Sequence, residues 1–213
     1  KHNILVKNAT QFIEMNEHPT EALKKKQDSS MLVGIKMHKE NEADAFVSAG
    51  NTGAQMAASL LNLGRIKGVN RPAIGSFIPS EKGLVFLIDV GANADCKPVN
   101  LLQFGIMGKI FVDHIFNKQD LTIGLLNIGE EEKKGNEVSI AAHQLMKKEC
   151  KGFVGNIEGR DILKGKVDIV VCDGFVEVLR SGSTPEQAPR SVVHLGAGQI
   201  FGEMALVDRG PRS

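Results

Sequence analysis

Five short loops rich in small and polar residues each close an apolar run, and they hold the side chains best suited to handling an anion. They are Ser48 to Gly53, Asp89 to Asp95, Asn127 to Glu131, Gly155 to Arg160 and Cys172 to Phe175. Asn51 and Gly53 stand where a strand is expected to turn into a helix. Glycine lets a ligand approach the backbone, and the free N–H groups of a helix start attract negative charge. Ordinary tight turns use the same residues, which is the plainer account of Gly50-Asn51-Thr52-Gly53 taken alone. Asn93, Asp95 and Lys97 cluster ahead of Pro98, where Asn and Lys can orient a phosphate or a polarised carbonyl. A hydrogen-bonded loop with Lys97 in solvent explains them equally well.

The run Glu130 to Glu137 is dense in charge, and such runs usually form solvated faces. This one directly follows an apolar strand and precedes a helix, so part of it must face a crevice. Lys134, beside Gly135 and the potential N-cap Asn136, is the cation singled out there as catalytic. Asp173 and Gly174 close the last strand of the series. Glu158, Arg160 and Asp161 read as a structural ion-pair set. Cys172 has no histidine near it in sequence and reads as a small buried apolar residue. The six histidines show no ligand spacing, and no Ser-His-Asp pattern is present. The chemistry indicated is capture and aiming of an anion, with no metal, no cofactor and no covalent intermediate.

Those loops need a scaffold. From about residue 43 to 172 the chain alternates strand and helix. Strands are expected at Asp44 to Ser48, Gly83 to Ile88, Leu121 to Asn127, Phe153 to Gly155 and Val167 to Cys172. Helices are expected at Thr52 to Arg65, with Met56, Leu60 and Leu63 at helical spacing, at Pro98 to Phe116 and at Asn136 to Lys148. Pro98 suits a first-turn position. Such repetition implies an α/β fold, a three-layer α/β/α sandwich with a mainly parallel sheet. Ligands of open sheets bind outside the carboxyl ends of the strands, so all five loops should share one edge. After Phe175 the texture changes to strand, turn and strand, which reads as a short partial β-roll. The expected domains are therefore 1–176 and 177–213.

Bulk properties narrow the classes further. The 213 residues carry 26 Lys plus Arg against 25 Asp plus Glu, so no net charge draws the chain to nucleic acid. Cys96, Cys150 and Cys172 are odd in number and form no Cys-x-x-Cys pair, and no signal-like segment appears. Both facts favour a reducing, cytoplasmic setting. No apolar run approaches the roughly 18 residues of a membrane span.

The stretches Ala43 to Ala54, Leu63 to Gly68, Asp89 to Pro98, Leu101 to Phe104 with Ile106 to Gly108, Gly124 to Glu137 and Val167 to Phe175 resemble the bacterial phosphate acyltransferase family. The likeness runs from about residue 1 to 176, with many long motifs in order. It implies an α/β/α enzyme, a homodimer loosely associated with the membrane. That enzyme passes a fatty acyl group from acyl carrier protein to inorganic phosphate, giving acyl phosphate for phospholipid synthesis. Lys134 matches a lysine of the family's active site. The family pattern places a Gly-Asn pair where this chain has Glu177 and Val178. It also has another strand with an Asp-Ala-Met-Gly-Gly loop ahead of Lys1, and a helical region after the last loop.

The stretch Gly202-Glu203-Met204-Ala205-Leu206 with Pro211-Arg212-Ser213 is similar to the phosphate-binding cassette of cyclic-nucleotide-binding domains. There Gly202 would open a short helix over the phosphate, Glu203 would accept a ribose hydroxyl and Arg212 would neutralise the charge. Surface charges on an incomplete roll account for the same residues. The competing functions are thus an acyltransferase, a cyclic-nucleotide-binding regulatory module joined to an inactive acyltransferase-like fragment, and an inactive scaffold.

Overall fold

The run Leu84-Val85-Phe86-Leu87-Ile88 is apolar at every position, so a strand built from it can be covered on both faces. It forms the centre of a mixed sheet in this computed structural model, which describes residues 4–93 and 95–174 and the backbone of 176–180, 190–195 and 204–205. In chain order the elements are α1 (Pro19–Lys25), α2 (Ser30–Lys39), α3 (Thr52–Asn62), β1 (Ile74–Ser80), β2 (Gly83–Ile88), α4 (Pro98–Phe116) and β3 (Ile123–Leu126). There follow α5 (Glu137–Glu149), β4 (Phe153–Ile157), α6 (Gly159–Leu163), β5 (Ile169–Val171), β6 (Val176–Arg180), β7 (Arg190–Leu195) and β8 (Met204–Ala205).

The main sheet has the order β4-β3-β5-β2-β1-β8. Strands β4, β3, β5 and β2 run parallel, whereas β1 pairs antiparallel with β2 and with β8. The fold is therefore α/β with a mainly parallel sheet, as the alternation implied. Strand side chains alternate between two cores. Phe86, Ile88, Ile123, Leu125, Ile169 and Val171 pack under α4 and α5 with Leu101, Phe104, Ala142 and Met146. Val85, Leu87, Val170 and Cys172 face the other way with Ile74, Ile78, Ile157 and Ile162, and Met56 of α3 packs against that side. Each such fully buried aliphatic or aromatic side chain contributes roughly 1.5–3 kcal/mol through removal from water.

Helices α1, α2 and α6 were not read from the sequence, and two further differences concern strands. Asp44 to Ser48 belongs to neither sheet, and Val47 is 84% exposed. An apolar segment becomes a strand only where a ladder neighbour takes up its N–H and C=O groups, and none of the described strands lies against this one. Helices α1, α2 and α3 instead share a separate core of Ile13, Leu23, Leu32, Ile35, Ala54 and Ala58. Within α3 the buried stripe is Ala54, Gln55, Ala58 and Ser59, while Leu60 lies 40% exposed. The second difference is β1, which the sequence reading missed because Gly75, Ser76 and Pro79 break its apolar pattern. Its register with β2, Ser80 opposite Gly83, closes a tight hairpin through Glu81 and Lys82.

Beyond the last loop, β6 and β7 pair antiparallel in a two-stranded sheet of their own, and β8 lies on the outer side of β1. Gly202, Glu203 and Arg212 lie outside the described residues.

Candidate functional site

Because β2, β3, β4 and β5 are parallel, the loops that follow them emerge at one edge. The Asp89 to Lys97 loop follows β2, the Asn127 to Asn136 loop follows β3, Glu158 follows β4, and Cys172 to Gly174 follow β5. Four of the five loops singled out in the sequence thus share an edge. The fifth, Ser48 to Gly53, opens α3 and follows no strand.

Asp89 organises the first of these loops. Its carboxylate is fully buried and accepts from Ile74 N at 2.9 Å, Ala92 N at 3.2 Å, Asn93 N at 2.8 Å and Asn93 Nδ2 at 2.9 Å. Burial raises its pKa above the ordinary carboxylate value, and the donors offset only part of that. The second proton of the Asn93 amide goes to the carbonyl of Pro72 at 2.8 Å, so Asn93 pins its loop to the entry of β1. Arg71, on the same entry, donates to the carbonyl of Asp95 at 2.7 Å. The sequence reading missed Asp89 as a hub and Arg71 as a cation at this edge. Only the antiparallel β1 brings Arg71 there, and β1 itself was not read. Lys97 is exposed at the start of α4, where its N–H donates to Asn100 Oδ1 at 2.8 Å.

The β5 loop abuts this one. Gly174, at φ +142°, has a backbone conformation that side chains rarely adopt, and a Cβ there would sit 3.9 Å from the carbonyl of Asn93. Asp173 is exposed beside it. Cys172 is buried and donates to the carbonyl of Asp89 at 3.2 Å, with burial pushing its thiol pKa well up. Cys96 is pushed up to about 11 by burial first, then by Asp89 and Asp173. Neither thiol is primed as a nucleophile, as the sequence reading held for Cys172.

On the β3 side, the Lys134 side chain is half exposed, with its Nζ 3.9 Å from Glu131 in a loose ion pair. Its stem lies over Gly129, and its carbonyl accepts from Asn127 Nδ2 at 2.9 Å. Gly135, at φ +94°, makes the turn beneath it. A Cβ there would come within 2.1 Å of Ser139 Oγ. Asn136 caps α5, its Oδ1 accepting from Ser139 N at 2.8 Å. A second buried pair anchors the loop from below. His143 Nδ1 pairs with Asn156 Oδ1 at 2.8 Å, and Asn156 Nδ2 donates to the carbonyl of Glu131 at 2.8 Å. His143 escaped the sequence reading because its partner lies on another element.

Asn51 and Gly53 are placed elsewhere. Asn51 Oδ1 caps α3 by accepting from Ala54 N at 2.9 Å. Its Nδ2 reaches the carbonyls of Glu14, Met15 and Glu17 at 3.2, 3.3 and 3.0 Å. Gly53 abuts Pro19. Asn51→Ala is expected to lower stability by about 1–2 kcal/mol through loss of that cap and clasp, read by urea unfolding. Unchanged stability with weakened phosphate binding would instead return Asn51 to the ligand.

The four loops therefore offer three exposed ammonium groups, Lys97, Lys133 and Lys134, and the N-terminus of the long helix α4. The amides of Asn51, Asn93 and Asn136 hold the backbone. Among the described residues no cluster of His, Cys, Asp and Glu is arranged to hold a metal ion.

The family described as fatty acid synthesis protein matches residues 1–195. A protein of Pelotomaculum thermopropionicum named phosphate acyltransferase is 54% identical over 176 residues, covering 82% of this chain and 52% of that protein. One of the same name from Thermoanaerobacterium thermosaccharolyticum is 52% identical over 173 residues, covering 81% and 52%. The chain spans about half the length of these curated relatives. Among solved structures, EutD phosphotransacetylase from Staphylococcus aureus superposes with a TM-score of 0.50 at 15% identity, covering 72% of this chain and 53% of that one. That likeness is one of fold.

Proposed function

The chain belongs to the fatty acid synthesis protein family, and on that premise we propose that it is a phosphate acyltransferase. The reaction passes a fatty acyl group from acyl carrier protein to inorganic phosphate and releases acyl phosphate for phospholipid synthesis. The observation that carries this reading is the 54% identity to a relative named phosphate acyltransferase, over a stretch that includes the loops sharing the sheet edge.

The chemistry suits what the edge offers. Phosphate is already an anionic nucleophile, so it needs capture and aiming more than deprotonation. Lys97 at the mouth of α4, with the positive end of that helix behind it, supplies the capture. A phosphate oxygen attacks the thioester carbonyl carbon, the carbon–sulfur bond breaks with its electron pair leaving on sulfur, and the phosphate proton passes to the thiolate. Lys134 donates to the carbonyl oxygen as that oxygen gains charge. Asp173 and Gly174 close the crevice opposite Asn93. The same reading makes the enzyme a cytoplasmic homodimer that meets the membrane at its surface. No helix among the described residues is long and apolar enough to cross a membrane.

The test is direct. The purified chain is incubated with acyl carrier protein thioester, with and without phosphate, and acyl phosphate is trapped as hydroxamate. Phosphate-dependent product is the expected result. A folded chain that yields none overturns the reading for this chain.

A further inference from the structure

We propose that the groove along the outer side of α4 is the subsite for the fatty acyl chain, an inference that rests on the acyltransferase reading and adds the place where the substrate's apolar part lies. Helix α4 is apolar nearly all round. Leu101, Phe104 and Val112 are buried, and Gly108 brings the backbone down onto the sheet, where a Cβ would be 3.1 Å from Ile169. The outer side nevertheless carries Ile106 at 39% exposure and Ile110 at 65%, one helical turn apart. Solvent gives no reason for such a stripe, and contiguous exposed apolar surface marks a binding site.

A second wall stands opposite. Ile66 and Val69 face Ile106, Met107, Ile110 and Phe111 across a groove of about 800 Å³. The wall is fixed in place by Gln103 of α4, whose Nε2 donates to the carbonyl of Gly68 at 2.9 Å and whose Oε1 accepts from Asn70 N at 2.8 Å. Arg65 closes the same turn by donating to the carbonyl of Asn70. These bonds fix the second wall against α4, which lowers the ordering cost of filling the groove.

Charge and continuity select the occupant. The lining holds no carboxylate, and its charged group is Lys67, which complements a phosphate or other anionic head. Ile66, Val69 and Met107 also line an adjoining smaller pocket that extends to Pro72 and Ala73. Pro72 is the residue whose carbonyl holds Asn93, so the groove leads away from the candidate site itself. Gln103 to His114 cover roughly 16 Å of helix at 1.5 Å per residue, an elongated shape suited to an extended alkyl chain.

Two measurements on the purified full chain test this. The first is binding of the fluorescent fatty acid cis-parinaric acid to the parent, Ile110→Asp and Gln103→Ala. The second is the KM for long-chain and short-chain acyl carrier protein thioesters. Because Ile110 is largely exposed, Ile110→Asp should fold normally, which thermal unfolding checks. The expected result is roughly 10- to 100-fold weaker probe binding in Ile110→Asp, with a matching rise in KM for the long chain alone. Gln103→Ala should weaken the probe less, by loosening the wall. Acyl phosphate formation with an unchanged long-chain KM in Ile110→Asp leaves the acyltransferase reading standing and overturns the groove. Loss of probe binding by Ile110→Asp in a chain that makes no acyl phosphate keeps the groove and overturns that reading. If Ile110→Asp instead splits a dimer in sedimentation without affecting the probe, the face is a contact between two copies and the proposal fails.

Discussion

Replacing Lys134 by alanine is expected to lower the rate of acyl phosphate formation by roughly 100- to 1000-fold, the usual cost of removing one donor from a developing oxyanion. Folding should hardly change. The ammonium group is half exposed and its ion pair with Glu131, at 3.9 Å, is of the kind that contributes little. What fixes the residue is its backbone, through Asn127 Nδ2 on its carbonyl and the positive-φ turn at Gly135, and alanine keeps both. Lys133→Ala is the control, since Lys133 is also exposed and precedes the residue whose stem lies over Gly129. Steady-state rates of the two variants decide the matter. Equal and small losses would take Lys134 out of the mechanism.

Asp89→Ala is expected to destabilise the fold by about 3–5 kcal/mol, because it strands the buried N–H of Ile74 and the part-buried N–H groups of Ala92 and Asn93, together with the Asn93 amide. Each would otherwise cost about 1–3 kcal/mol, and partial relaxation and water entry keep the total below their sum. Asp89→Asn should also destabilise. One of its two positions becomes an NH2 group, which faces either the two donors of Asn93 or the N–H groups of Ile74 and Ala92. The pH dependence has a definite sign. A carboxyl whose folded pKa lies above the unfolded value binds more protons in the native state. Its contribution is therefore full below the ordinary value of 3.8 and is lost as pH rises through the folded value. The stability gap between the parent and Asp89→Asn should narrow as pH rises over that window. Urea unfolding at pH 4 and pH 7 measures it, and a gap that widens instead would show that the donors outweigh burial.

Much of the scaffold was legible in the sequence. Helix α4 runs Pro98–Phe116 as expected, because Pro98 sets the first turn and apolar residues persist to a polar stop at Asn117. The β2 run, the α5 helix behind Asn136 and the strand before Cys172 follow from the same local signals, apolar length and capping chemistry. The placing of four loops at one edge follows in turn from parallel strands, so that shared edge could be read without coordinates.

The particular jobs of the residues at that edge could not. Asn93 looked like a ligand and is a pin, because its partners Pro72 and Asp89 come together only when β1 folds back antiparallel on β2. Asn51 looked like part of the same crevice and instead ties α3 to residues 14–17, since Asp44 to Ser48 joins no strand. Arg71 gave no sign at all, reaching Asp95 from 24 residues away. Sequence fixes what the backbone does over one or two turns, where caps, periodicity and turn residues act between neighbours. Which donor meets which acceptor across 20 to 40 residues depends on the order and direction of the strands, and the tertiary fold alone decides that.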